Sequence, residues 1–132
     1  MTEPDALVAQ SFDARSLVGL RKALTECGTT LGLDELPLAR FVLAVNEVAT
    51  NAVRHGGGRG RLRLWLWRDG AYLWCEVVDQ GAGIPRGRLR PDHRPKPGHI
   101  GGWGLWLVHH ICSTVRIETG RDGTRVELAY PL

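Results

Sequence analysis

The sequence predicts an α+β two-layer sandwich: a mixed, mostly antiparallel sheet covered on one face by three helices. Three observations lead there. The expected elements run β-α-α-β-β-loop-α-β-β, which lacks the strict alternation of a doubly wound parallel sheet. Two strand pairs are joined by short turns containing Asp69-Gly70 and Arg121-Asp122-Gly123. The helical segments carry their apolar residues on one side, as a helix does when it covers a sheet.

Residues 7–12 read as a short edge strand, and Asp13 as the N-cap of a helix over 14–30. Leu17, Leu20, Leu24, Cys27 and Leu31 recur every three or four residues along it. Asp34 is a second N-cap, and Pro37 falls in the first turn, where a missing N–H is harmless. Leu38, Phe41, Val42, Val45, Val48, Ala49 and Ala52 then form one apolar stripe. Arg40, Glu47, Asn51 and Arg54 lie on the opposite face, with His55 at its border. The helix ends at Gly56-Gly57-Gly58.

A hairpin follows. Leu62, Leu64 and Leu66 alternate with Arg61, Arg63, Trp65 and Trp67, and the return strand covers about 71–79. The tryptophans fit cross-strand packing better than a base-stacking platform. Residues 84–101 hold four prolines and show no periodicity, so they read as a long loop of the kind that is often functional. A helix starts near Gly104, and a last hairpin pairs 114–119 with 124–130.

Residues 1–132 are expected to form one domain. The formal charge of +3 is too mild for a nucleic-acid face, although much of the positive charge lies between Arg86 and Lys96. Three cysteines without close spacing argue against a disulfide framework and a zinc ribbon. No signal peptide and no bilayer-length apolar run stand out, so the chain reads as cytoplasmic, with no membrane contact.

Three segments can carry chemistry. Glu47 and Asn51 are four residues apart, one turn above each other on a helix. An Asn amide oxygen suits Mg²⁺, and a carboxylate one turn away can polarise a hydroxyl. Asp79-Gln80-Gly81-Ala82-Gly83 closes a strand. Its ionised carboxylate is acceptor-only, so it takes a hydrogen bond from an exocyclic amine such as that of adenine and rejects guanine's oxygen. The adjacent glycines let the backbone approach a flat base closely. Gly101-Gly102-Trp103-Gly104-Leu105 leads into a helix N-terminus, whose free N–H groups suit phosphate. Each segment alone has a bland reading: a solvated helix face, a strand-ending turn, a hinge. Their order together does not.

Asn46-Glu47-Val48-Ala49-Thr50-Asn51-Ala52-Val53-Arg54-His55-Gly56 resembles the N box of the GHKL (Bergerat-fold) ATPases. Asp79-Gln80-Gly81-Ala82-Gly83 resembles the G1 box, and Gly102-Trp103-Gly104-Leu105 the G2 box, with an ATP lid at about 84–101 between them. Gly123-Thr124 is similar to the closing motif. The likeness runs from about residue 8 to 130. Within the superfamily, the short length is similar to the anti-sigma factor serine/threonine kinases of bacteria.

The resemblance implies a histidine-kinase-like ATPase fold that binds ATP and Mg²⁺. It implies Asn51 as the Mg²⁺ ligand, Glu47 as the general base, and Asp79 as the adenine anchor with Gly81 and Gly83 shaping the base pocket. Gly102, Gly104 and Leu105 would hold phosphates, Arg54 and His55 would lie beside them, and Thr124 would position an adenine-side water. The implied activity is phosphorylation of an anti-anti-sigma (STAS-type) protein, with a sigma factor as second partner and a homodimer through the face bearing the first strand and helix. The alternative is an ATP-binding module that holds a sigma factor or other regulator without kinase turnover.

Overall fold

The computed structural model describes residues 6–81 and 103–132, and the backbone but not the side chains of 103–105. Strand β1 (Val8–Asp13) is followed by helices α1 (Leu17–Thr30) and α2 (Glu35–His55). A hairpin of β2 (Arg59–Trp67) and β3 (Tyr72–Asp79) comes next, then α3 (Trp103–Ile111) and a second hairpin of β4 (Thr114–Gly120) and β5 (Gly123–Pro131). The strands form one sheet in the order β1-β2-β3-β5-β4. Every pairing among the described residues is antiparallel, so the sheet is more uniform than the mixed one expected. The cause is that β5 enters between β3 and β4: the connection through α3 delivers β4 to the edge, and a tight turn folds β5 back inside.

Alternation along the strands decides which face is covered. Leu62, Leu64, Leu73, Cys75, Val77, Val126 and Leu128 share the inner face and are almost fully buried. They meet Leu20 and Leu24 of α1, Phe41, Ala44, Val45, Val48, Ala49 and Ala52 of α2, and Val108 of α3 in one core. Burying side chains such as Phe41 or Leu64 contributes roughly 1.5–3 kcal/mol each. Cys27, Cys75 and Cys112 are free thiols.

The outer face carries the three tryptophans of the first hairpin, in the cross-strand role expected of them. Trp65 pairs with Trp74 across β2 and β3, and Trp67 stacks on Tyr72 and, edge-on, on Trp74. Beside them Glu76 and Glu127 stand directly opposite each other, a repulsive arrangement on its own. Arg125 offsets it by pairing with both carboxylates.

Two local expectations are corrected. Helix α1 begins at Leu17, with Ser16 rather than Asp13 as its N-cap. Asp13 instead folds a turn ahead of the helix: its carboxylate accepts from the N–H groups of Arg15 and Ser16. These bonds to the ionised form hold its carboxyl below the usual range. Asp69-Gly70 does form the centre of the first hairpin turn, with φ of 56° and 86°, and Ala71 N–H donates to the Arg68 carbonyl. The connection is longer than two residues, however, because the register closes at Trp67–Tyr72 and Arg68 is also left-handed.

Candidate functional site: a carboxylate pocket at the end of the sheet

Helix α2 runs across the inner face and stops where β3 ends. There its terminal Gly56 meets Asp79. A Cβ built on Gly56 would fall on the Asp79 carboxylate, with Oδ2 2.5 Å away. A Cβ on Gly81 would collide with the Gly56 backbone and lie 2.6 Å from the His55 carbonyl oxygen. Neither position admits a side chain, which is the physical reason for glycine at both. The turn after β3 is fixed by the same carboxylate: Asp79 Oδ1 accepts the Gly81 N–H at 2.9 Å. A half-buried, acceptor-only group is thus held in one orientation by the backbone around it.

The next strand completes the cluster. Asp79 pairs in register with Thr124 of β5, and Thr124 with Thr119 of β4. Thr124 is 4% exposed, and its hydroxyl lies 2.8 Å from that of Thr119. Gly123, with φ of 144°, turns its Cα toward the Asp79 carbonyl, where a Cβ would not fit.

Glu47 and Asn51 lie upstream on α2, one turn apart, and both are half-buried. Glu47 and Asn51 flank the apolar stripe, whereas Arg40 and Arg54 are exposed. Helix α3 packs beside α2. His55 is exposed at the last turn, next to the Gly56 contact. Gly104 and Leu105 lie in the first turn of α3, as expected for a helix that opens there. Gly83, Gly102 and the 84–101 stretch lie outside the described residues.

The contact of Gly56 with Asp79 and the Thr119–Thr124 pair were missed by sequence reasoning. The first had a signal in the glycine run after His55, which marks a close backbone approach as well as a helix end. The second could be counted across the Gly120–Gly123 turn.

The cluster fits a base-binding role. It offers a fixed carboxylate acceptor, a buried hydroxyl, and glycine surfaces without side chains. Among the described residues no group of three or more His, Cys, Asp or Glu is placed to hold a metal. No helix among the described residues is long and apolar enough to cross a membrane. A groove of about 480 Å³ between β1 and α1 shares no residue with the Asp79 cluster.

A family model described as a histidine kinase-like ATPase domain matches residues 11–130, nearly the whole chain. The chain belongs to that family. The histidine kinase-like ATPase fold is also what solved structures share with it. The RsbU and RsbW domains of Rv1364c from Mycobacterium tuberculosis superpose with a TM-score of 0.66 at 24% identity. That alignment covers 95% of this chain and 32% of the other, so this chain spans about a third of that structure. The histidine kinase domain of the blue-light activated histidine kinase from Erythrobacter litoralis EL346 gives 0.60 at 24% identity, over 86% of this chain and 65% of that one. The mycobacterial sensor histidine kinase MprB gives 0.54 at 19% identity, over 94% and 97%. No curated protein matches the chain. Family membership makes this an ATP-binding, kinase-like module.

Proposed function

We propose that this chain is a serine/threonine protein kinase of the anti-sigma-factor type, which binds Mg-ATP and phosphorylates a STAS-type anti-anti-sigma protein. The observation that carries the reading is the convergence of Asp79, Gly56, Gly81 and Thr124 at the end of the sheet, with Glu47 and Asn51 upstream on the helix that ends against Asp79. A module that only held nucleotide would need the carboxylate pocket and Asn51, but not a second carboxylate one turn away. The resemblance to the anti-sigma factor kinases within the superfamily supports the choice of acceptor, and a sigma factor is then the second partner.

In this reading Asp79 accepts from the adenine amine. Gly81 and Gly83 leave room for the ring, and Asn51 ligates Mg²⁺. Arg54, His55, Gly102, Gly104 and Leu105 surround the phosphates. Mg-ATP, when bound, supplies the transferable phosphoryl group and neutralises its charge. The Glu47 carboxylate takes the proton from the acceptor serine or threonine hydroxyl, and the remaining contribution of the chain is positioning.

The test is phosphotransfer from labelled Mg-ATP to a purified STAS-type protein, with Glu47→Gln alongside. Phosphoserine or phosphothreonine on the acceptor, lost in Glu47→Gln while ATP affinity is kept, supports the kinase. ATP binding with no transfer in either protein supports a nucleotide-gated binding module instead, and equal transfer in both would remove Glu47 as the general base. Phosphohistidine on a partner would reassign the acceptor.

A further inference from the structure

We propose that Thr119, on the edge strand β4, is a positioning residue for the adenine end of the pocket, acting through Thr124. The inference rests on the ATP-binding reading and extends it to a side chain outside the motifs that suggested it. Asp79, Thr124 and Thr119 form a cross-strand row at the end of the sheet, each paired in register with the next. Alternate residues of a strand share a face. Thr124 falls on the inner face with Val126 and Leu128, and Thr119 with Val115 and Ile117, their register partners.

Thr124 is 4% exposed, so bulk water does not satisfy its hydroxyl. A hydroxyl offers one proton and two acceptor sites. The 2.8 Å bond to Thr119 Oγ1 engages one of these and, with the stiffness of a β-branched χ1, fixes where the Thr124 oxygen points. It also fixes what remains. With Thr119 donating, the Thr124 proton is left for the pocket; with Thr119 accepting, only the Thr124 lone pairs are left. Thr119 therefore sets the hydrogen-bonding character presented beside Asp79 without lying next to that residue itself.

The experiment is calorimetric titration with Mg-ATP and with the Mg complex of purine riboside triphosphate, which lacks the exocyclic amine. The proteins are wild type, Thr119→Val, Thr119→Ser, Thr124→Val and the Thr119→Val/Thr124→Val double variant. Thr119→Val keeps shape and removes the hydroxyl. It is expected to weaken ATP about 3- to 10-fold, the usual worth of one hydrogen bond, while leaving the purine analogue nearly unchanged. Thr119→Ser should restore ATP binding, and in the Thr124→Val background Thr119→Val should have no further effect.

Equal losses for both nucleotides, or the same loss in the Thr124→Val background, would mean that Thr119 only supports the sheet, and would overturn the proposal. So would a Thr119→Val protein that binds ATP like wild type. These outcomes leave the ATP-binding reading standing. A folded wild-type protein that binds neither nucleotide would instead remove that reading, and this inference with it.

Discussion

The carboxylate of Asp79 lies against the α-carbon of Gly56, so the end of the longest helix and the end of a central strand meet with no side chain between them. The two residues are far apart in sequence, and their contact joins the two elements. Gly81 is held by the same carboxylate at 2.9 Å and touches Gly56 from the other side.

Replacing Asp79 with Asn should weaken Mg-ATP binding strongly while the protein stays folded. The amide keeps the shape but brings N–H donors to a place that needs an acceptor. Losing a charge-assisted hydrogen bond costs about 1.5–3 kcal/mol, or roughly 10- to 150-fold in affinity. Titration of both proteins with Mg-ATP and Mg-GTP checks this; an unchanged ATP affinity would remove Asp79 as the adenine anchor.

A Gly56→Ala variant should lose stability as well as nucleotide affinity. The new methyl group meets the Asp79 carboxyl and the Ala52 carbonyl, 2.6 Å away, neither of which can withdraw easily. Overpacking of this kind costs about 1–3 kcal/mol. Urea unfolding and ATP titration of the same preparation would show both losses. Loss of affinity at wild-type stability would mean that the carboxylate moves aside at no cost.

Leu64 is fully buried on the inner face of β2, away from the pocket. Leu64→Ala should lower unfolding free energy by about 2–5 kcal/mol. ATP affinity should remain at wild-type level wherever the variant is folded. A folded variant that cannot bind ATP would contradict the placement of this strand.

His109 gives the protein an acid sensitivity. Its Nε2 is buried without a hydrogen-bond partner among the described residues, and burial, aided by the neighbouring His110, holds its pKa below the ordinary 6.5. The unfolded chain therefore binds this proton more readily than the folded one. The stabilisation is fully present above about pH 6.5 and is lost as pH falls through the lower folded value. Denaturant midpoints between about pH 7.5 and 5 should decline less steeply in His109→Leu than in wild type. Parallel profiles would exclude this histidine as a source of the decline.

Much of the architecture was legible because it rests on local chemistry. Periodicity marked α1, α2 and the leucines of β2, and Asp69-Gly70 and Arg121-Asp122-Gly123 marked both hairpins. The start of α1 was misplaced because Asp13 and Ser16 are both good capping residues. Their mutual hydrogen bonds, with Ser16 Oγ accepting from the Asp13 N–H at 2.8 Å, favour the later start. The half-burial of Glu47 and Asn51 was not legible, since the period of α2 says which residues share a face but not what covers the face's edges.

By itself the sequence determined which residue types were available for a nucleotide: a carboxylate after an apolar strand, an Asn and a Glu one turn apart, and glycines where a base or phosphate must come close. Residue type and short-range spacing are properties of the chain alone. Only the tertiary structure decided that Gly56 abuts Asp79, that β5 lies inside β4 and brings Thr124 beside that carboxylate, and that Thr119 holds the Thr124 hydroxyl. These contacts join residues from separate elements. They depend on strand order and register, which the packing of the whole inner face selects: a slip of one residue would turn every buried side chain outward.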